Sequence, residues 1–163
     1  MIVLTLDELL AYTDEERGKW RRWFDAHPAA MDIRLQLGGR FETVAALVDH
    51  IFLVETRHLA RLQGERVPEA SGVANGDGAA LFAYAARTRE GLRSFAAKLD
   101  DVASAKVCGF TVQSGTVRMT PRKLLLHICL HELRHWAQIA LGVRQAGLNP
   151  PGNHDLFYSS ALE

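Results

Sequence analysis

Three histidines spaced four residues apart lie in one apolar segment of the chain: His127, His131 and His135. On an α-helix, residues four apart lie on the same side on consecutive turns. Burying two or three imidazoles together leaves several polar nitrogens without partners, unless a metal ion binds them. We therefore predict metal binding at His131 and His135. His127 is either a reserve ligand, a donor beside the site, or a core histidine that faces the same cavity.

The same residues, HELRH at 131–135, match the HExxH pattern of zinc proteases, in which the glutamate is the general base. In the extended form of that pattern a third histidine follows soon after, and this chain has Gly142 and Val143 without that spacing. The only acids after His135 are Asp155 and Glu163, and neither is a persuasive third ligand. A protease is therefore the least favoured of the interpretations.

The best candidate for a third ligand is His50. It lies in an apolar helical segment, where a buried imidazole needs a partner; its neighbours there include Leu47, Val48, Ile51 and Val54. Spacing alone does not bring His50 to His131.

Helix start and stop signals divide the chain into four predicted helices. Thr5 and Glu8 have the capping-box form, which predicts a helix from about Leu6 to Ala26, with a second start possible at Thr13. The other three helices are predicted from about Val44 to Gly64 after a break at Gly38-Gly39, from Asp77 to about Leu99, and from Thr120-Pro121 to near Gly147. The Gly- and Pro-rich stretch 64–78 is long for a helix connection and suggests a crossover.

Two further segments break the helical period. Residues 107–113 and 116–119 carry β-branched residues around Ser114-Gly115, which predicts a small hairpin before the last helix. The tail Leu148–Glu163 begins irregularly, and we expect its apolar side chains Leu156, Phe157 and Tyr158 to pack onto the helices. The prediction is an all-α four-helix bundle with a hairpin or irregular insertion, in one domain over 1–163.

The remaining polar side chains have ordinary structural interpretations. We expect Glu55 and His58 on an exposed helix face, although either could hydrogen-bond a ligand. The charged run that includes Glu16, Arg17, Lys19, Arg21 and Arg22 is typical of a solvated helix face. Gln138 either orients a ligand or fills a packing defect, and Cys129 packs as a small hydrophobe. His154 and Asp155 are expected in a turn, with closure over the site as the alternative.

Composition excludes several classes of function. The 163 residues hold 19 basic and 19 acidic side chains, so the net charge is zero and the field that attracts nucleic acid is missing. Hydrophobic residues make up 48% of the chain, yet no apolar run is long enough for a membrane span, and the N-terminus has no signal-peptide pattern. With two cysteines, Cys108 and Cys129, a disulfide scaffold is not expected, and a reducing cytoplasm is the default location.

Three stretches together resemble the DinB-like family of bacterial metalloproteins: Leu47-Val-Asp-His50, HELRHWAQIA at 131–140, and the closing segment 152–157. The resemblance implies an up-down-down-up four-helix bundle, often a homodimer, with a metal held by His50, His131 and His135 and open coordination sites facing a cleft. Many family members have Arg-Gly before the glutamine that follows the last histidine, whereas this chain has Trp136-Ala137. Characterised members use such a site for thiol-dependent transfer or isomerisation.

These observations lead to one preferred function and two alternatives. Three neutral imidazoles leave a divalent ion, zinc or nickel, with its full charge, so a bound water or thiol loses its proton more readily. Because the family that the chain resembles uses thiols at such a site, we expect transfer from a low-molecular-weight thiol to a small electrophile, or a related transfer or hydrolysis. The alternatives are a stress-associated metal-binding protein without catalysis, and the HExxH protease. We expect the bundle to turn Glu132 away from the metal.

Overall fold

The computed structural model describes residues 3–36, 40–74, 76–112 and 115–162. It is mostly helical, with four long helices: α1 (Leu6–Ala26), α2 (Val44–Gln63), α3 (Gly78–Ala96) and α5 (Pro121–Gln145). A short helix α4 (Asp101–Ala105) and a hairpin of β1 (Cys108–Val112) and β2 (Gly115–Met119) precede α5. The predicted break at Gly38-Gly39 and the turn residue Ser114 lie outside the described residues. Within those residues, no helix combines the length and the apolar character needed to cross a membrane.

Helices α1, α3 and α5 begin at the predicted caps, and α2 begins after Thr43, which was not predicted as a cap. Thr5 and Glu8 form a full capping box, in which the Glu8 N–H donates to Thr5 Oγ1 at 3.2 Å and the Glu8 carboxylate accepts from the Thr5 N–H at 2.7 Å. The side chains of Thr43, Asp77 and Thr120 each accept a backbone N–H from the first turn of their helix. α1 runs through position 13 without a second start.

The segment between α3 and α5 differs from the prediction at one helix end. α3 ends at Ala96 rather than near Leu99, because a turn follows and Asp100 caps a separate helix, α4, through the Ala103 N–H at 2.7 Å. The predicted hairpin is confirmed. β1 and β2 are antiparallel, with Phe110 opposite Val117.

The buried apolar side chains form two clusters. α2 packs against α3 and α5, and α1 packs against α5 and α3. One cluster is rich in aromatic rings and includes Trp20, whose ring stacks on Trp136 with centroids 5.3 Å apart. The other is aliphatic and includes Leu10, Leu92 and Ile128. Trp20, Trp23 and Phe24 therefore belong to the core of a single chain.

The C-terminal tail lies along α1, but the apolar residues of the tail do not hold it there. The prediction that Leu156, Phe157 and Tyr158 pack onto the helices is wrong, because they are 41%, 85% and 61% exposed. Polar contacts attach the tail instead. Its backbone carbonyls accept from Tyr12 Oη at 2.8 Å, Lys19 Nζ at 2.6 Å and Trp23 Nε1 at 2.8 Å. These donors are long side chains of α1, so the tail needs no apolar anchor.

Candidate metal centre

The imidazoles of His50, His131 and His135 converge at the junction of α2 and α5. One nitrogen from each ring lies within 4.8 Å of the other two, and the Nε2 atoms of His131 and His135 are 3.1 Å apart. Nitrogens bound to one tetrahedral zinc ion at about 2.0–2.1 Å would be about 3.4 Å apart. The three side chains therefore have the composition and nearly the spacing of a metal site, and the group could hold a metal ion.

The helices explain why these rings meet. On α2, Leu47, Val48 and Ile51 are buried in the core, which places His50 at the half-buried edge facing α5. On α5, Ile128, Glu132 and Trp136 point inward, so His131 and His135 lie together on the neighbouring, partly buried face. The core positions of both helices therefore determine where the histidines stand.

The environment keeps these imidazoles neutral. Burial lowers the pKa of His131 to about 3 and the pKa of His50 to about 4. Neighbouring histidines add to both effects, and Arg40 and Arg57 add to the effect on His50. Burial also lowers the pKa of His135, against the hydrogen bond that it donates to Gln138, which raises the pKa. The neutral ring is the form that offers a lone pair to a metal ion.

Gln138 determines which nitrogen of His135 faces the cluster. The amide oxygen of Gln138 lies 2.5 Å from His135 Nδ1. An amide oxygen only accepts, so Nδ1 carries the proton and the Nε2 lone pair points to the cluster. Such a partner behind a ligand is typical of metal-binding histidines. Of the two interpretations of Gln138, the structure supports the orienting one.

Two residues of the segment before α2 cover the cluster, and sequence reasoning missed both. The Phe41 ring lies 4.4 Å from the His50 ring and 6.3 Å from the His135 ring, between centroids. The Arg40 guanidinium lies 4.7 Å from the centre of the Phe41 ring, with Nη2 3.3 Å from His50 Nδ1. No motif marks Arg40-Phe41, and only their place just before the Thr43 cap indicates closeness to His50.

A row of imidazoles continues along the same groove. His127 lies 5.5 Å from His131 and 5.4 Å from His58, between ring centroids. His58 was expected on an exposed face, but it is half-buried, and burial lowers its pKa to about 3. Arg61 donates to its Nδ1 at 3.2 Å. Neither His58 nor His127 belongs to the three-histidine group.

Glu132 points away from the histidines into a buried cluster of four charges, as expected for a glutamate that does not face the metal. Its carboxylate accepts from Arg17 Nε at 2.6 Å, Arg89 Nη2 at 2.8 Å and Trp136 Nε1 at 3.0 Å. Burial raises the pKa of Glu132, but the two arginines outweigh it and hold the pKa below its ordinary value. Glu132 is thus an ionised structural residue, and its carboxylate is engaged in the core instead of facing the histidine cluster, where a general base would have to reach a bound water.

Glu55 completes this cluster, and its predicted exposure is wrong. It is 1% exposed, forms an ion pair with Arg17 and lies 2.8 Å from Arg89 Nε through Oε1. Each of the four long helices contributes one member, in the order Arg17, Glu55, Arg89 and Glu132. Two positive and two negative charges balance, which is why they are tolerated in the core.

The charged run of α1 is only partly a solvated face. Arg21 and Arg22 are exposed as predicted, but Arg17 and Glu16 are 8% and 2% exposed. Glu16 accepts from Lys19 at 2.7 Å and lies 2.6 Å from His154 Nδ1. The His154 ring stacks on the buried Trp20 and lines a cavity between α1 and α5, so it does not close over the histidine cluster.

The two cysteines are free. Cys129 is fully buried in the aliphatic cluster, and burial raises its pKa to about 11, as expected for a small hydrophobe. It takes no part in the histidine group.

The comparison with protein families gives one match. A family model described as the DinB family matches residues 1–161 of the 163. No curated protein matches the chain.

Proposed function

The chain belongs to the DinB family, and from that membership and the histidine cluster we propose that it is a metal-dependent thiol transferase. A divalent ion, zinc or nickel, is held by His50, His131 and His135. The substrate is a low-molecular-weight thiol, which is joined through its sulfur atom to a small electrophile. The observation that carries the proposal is the convergence of three imidazole nitrogens within 4.8 Å on two adjacent helices.

The chemistry of the site supports catalysis over storage. Three neutral imidazoles leave the full charge and at least one open coordination position on a tetrahedral ion, which favours the ionised form of a bound thiol. Among the described residues, no fourth histidine, cysteine or carboxylate joins the group. A closed site with four ligands would instead favour the alternative, a stress-associated metal-binding protein without catalysis.

The protein side chains around the site have distinct tasks in this proposal. Gln138 holds His135 in the ligand tautomer. Phe41 covers the histidines and limits the access of water, while Arg40 places a positive charge at the edge of the site, where a thiolate or leaving group is negative. In the net reaction the thiol sulfur bonds to the electrophilic carbon, the leaving group departs with the bonding electron pair, and the thiol proton passes to solvent.

The proposal also includes the order of the helices and the assembly of the chain. The two clusters support an up-down-down-up order, because residue numbers rise toward the aromatic cluster along α1 and α5 and fall along α2 and α3. The family resemblance supports a homodimer, and the two free cysteines are in keeping with a cytoplasmic location. Because Trp20, Trp23 and Phe24 are buried within one chain, a dimer interface has to use other residues.

Elemental analysis of protein purified without chelators or an affinity tag tests the metal site. We expect about one ion per chain in the wild type and a loss in His50→Ala, His131→Ala and His135→Ala. His27→Ala, at the far end of α1, is the matched control and keeps the metal. Metal retained by His50→Ala would contradict the ligand set.

A rate measurement tests the reaction. Consumption of L-cysteine with a chromogenic aryl halide is followed by absorbance, for protein stripped by a chelator and for the same protein reloaded with Zn²⁺ or Ni²⁺. We expect the rate only after reloading, and not in His50→Ala. Equal rates with and without metal would refute the transferase while leaving the metal site intact.

A further inference from the structure

A cavity of about 420 Å³ adjoins His50 on the side away from α5. This volume lies in the range typical of small-molecule sites. Its wall contains side chains of both charges, which come from α2 and the segment before it: Arg40, Asp49 and Arg57. His50 and Phe41 line it too, so a molecule bound here would touch the proposed metal centre.

Asp49 has an unused acceptor in this wall. Its Oδ1 is buried without a hydrogen-bond partner among the described residues. Nor does any Lys, Arg or His nitrogen of that part of the chain come within ion-pair distance of its carboxylate. A buried carboxylate oxygen is normally satisfied by a donor. A positively charged donor on a ligand would satisfy it.

Arg40 offers the opposite charge. Its guanidinium is exposed over the Phe41 ring, and within the described ranges it has no carboxylate partner. Arg57, in contrast, is occupied: Nε and Nη2 donate to the backbone carbonyls of Pro68 and Glu69 at 2.9 and 2.5 Å. Arg57 therefore holds the α2–α3 connection beside the cavity, and Arg40 is the arginine left for an anion.

We propose that this cavity binds the α-amino-acid end of the thiol substrate, with the ammonium group on Asp49 and the carboxylate on Arg40. The two side chains line one cavity without pairing with each other, and a zwitterion satisfies both. The inference rests on the proposed function, because it takes the sulfur of the same molecule to lie at the histidines. It names the substrate class as cysteine, or a small thiol with a free amino group and a carboxylate.

Binding of a probe without a thiol tests this site independently of the metal. We would titrate metal-free protein with S-methyl-L-cysteine, its N-acetyl derivative and its amide, and follow Kd by NMR. The wild type is expected to bind the parent about tenfold more tightly than either derivative, since each derivative lacks one charge-assisted contact. Asp49→Asn should remove the preference for the free amine, and Arg40→Gln the preference for the free carboxylate.

The controls are exposed residues of the same types on α1, away from the cavity, Asp25→Asn and Arg22→Gln, which should keep the wild-type ranking. Equal binding of the three probes, or an unchanged ranking in Asp49→Asn and Arg40→Gln, would overturn the inference whatever the metal content. If the ranking holds but the purified protein binds no metal, the amino-acid site stands and the transferase proposal fails.

Discussion

Replacing Glu132 by glutamine tests whether this residue of the HELRH segment serves stability or chemistry. The carboxylate is 1% exposed and receives donors from Arg17, Arg89 and Trp136. Glutamine has nearly the same volume, but it removes the negative charge and turns an –NH₂ group toward arginine donors. Two buried guanidinium groups then face the single buried carboxylate of Glu55, and Arg89 keeps only a longer contact, 3.4 Å, to the partly exposed Asp14.

The magnitude follows from the imbalance of charge. Breaking a buried ion pair by removing one partner costs about 3–5 kcal/mol of unfolding free energy. For a domain of this size each kcal/mol shifts Tm by about 2–4 °C, so the expected decrease is roughly 6–20 °C. The histidines do not contact Glu132, so the metal content of the folded variant should be unchanged.

Thermal and urea unfolding followed by circular dichroism, with elemental analysis of the same samples, measure both effects. Glu90→Gln, on the exposed face of α3, is the matched control and should move Tm by no more than 1–2 °C, a shift of about 0.5 kcal/mol. If Glu132→Gln keeps the wild-type Tm and loses turnover with the metal in place, Glu132 acts as a base and the structural interpretation is refuted.

Three further predictions concern side chains around the site and in the core. Gln138→Ala should weaken metal affinity about 10–100-fold without loss of fold, because His135 Nδ1 then has no acceptor that keeps the proton on it. A competition titration with a chromophoric chelator measures the affinity, and an unchanged value would contradict the prediction. The folded-state pKa of His58 is about 3, below the ordinary 6.5, so the unfolded chain binds this proton first and stability falls as pH falls from about 6.5 toward 3. Urea unfolding of the metal-free protein measures this effect. As the pH falls, the free energy of unfolding of His58→Gln should decrease by up to about 1.4 kcal/mol less per pH unit than that of the wild type, and parallel pH profiles would refute the prediction. A thiol reagent should modify the partly exposed Cys108 in the native protein and Cys129 only on unfolding; rapid modification of both would contradict the burial of Cys129.

The helices could be predicted because their start signals are local. A Ser, Thr or Asp side chain that caps a helix acts within three residues, and the caps at Thr5, Asp77 and Thr120 could therefore be predicted. The cap at Thr43 has the same local form but was not predicted. The end of α3 was not, because the apolar period continues to Leu99 while the chain turns to let Asp100 begin another helix.

The histidines of α5 could be found because four-residue spacing is a property of one helix. The prediction that His50 joins them rested on its burial and on the family resemblance. The structure brings His50 to His131 and His135. Arg40 could not be found in this way, since its closeness to His50 depends on how the segment before α2 folds back.

The buried charges were missed for a physical reason. Periodicity assigns charged side chains to the solvent, which is right unless another helix supplies the opposite charge. Glu55 and Arg17 satisfy each other across a contact between α1 and α2, and 38 residues separate them in sequence. Nothing local to either position signals that partner.

The four-charge cluster also restricts how far the helices can slide along one another. Helices that touch only through aliphatic side chains can slip by a turn, about 5.4 Å, at modest cost. Here such a slip of α5 would carry Glu132 out of reach of both arginines and leave it in a hydrocarbon layer. His131 is the adjacent residue, and His50 lies little more than one turn from Glu55, so the same restraint sets the level of all three imidazoles. A metal ion that bound to these imidazoles would therefore meet ligands that the helices already hold together.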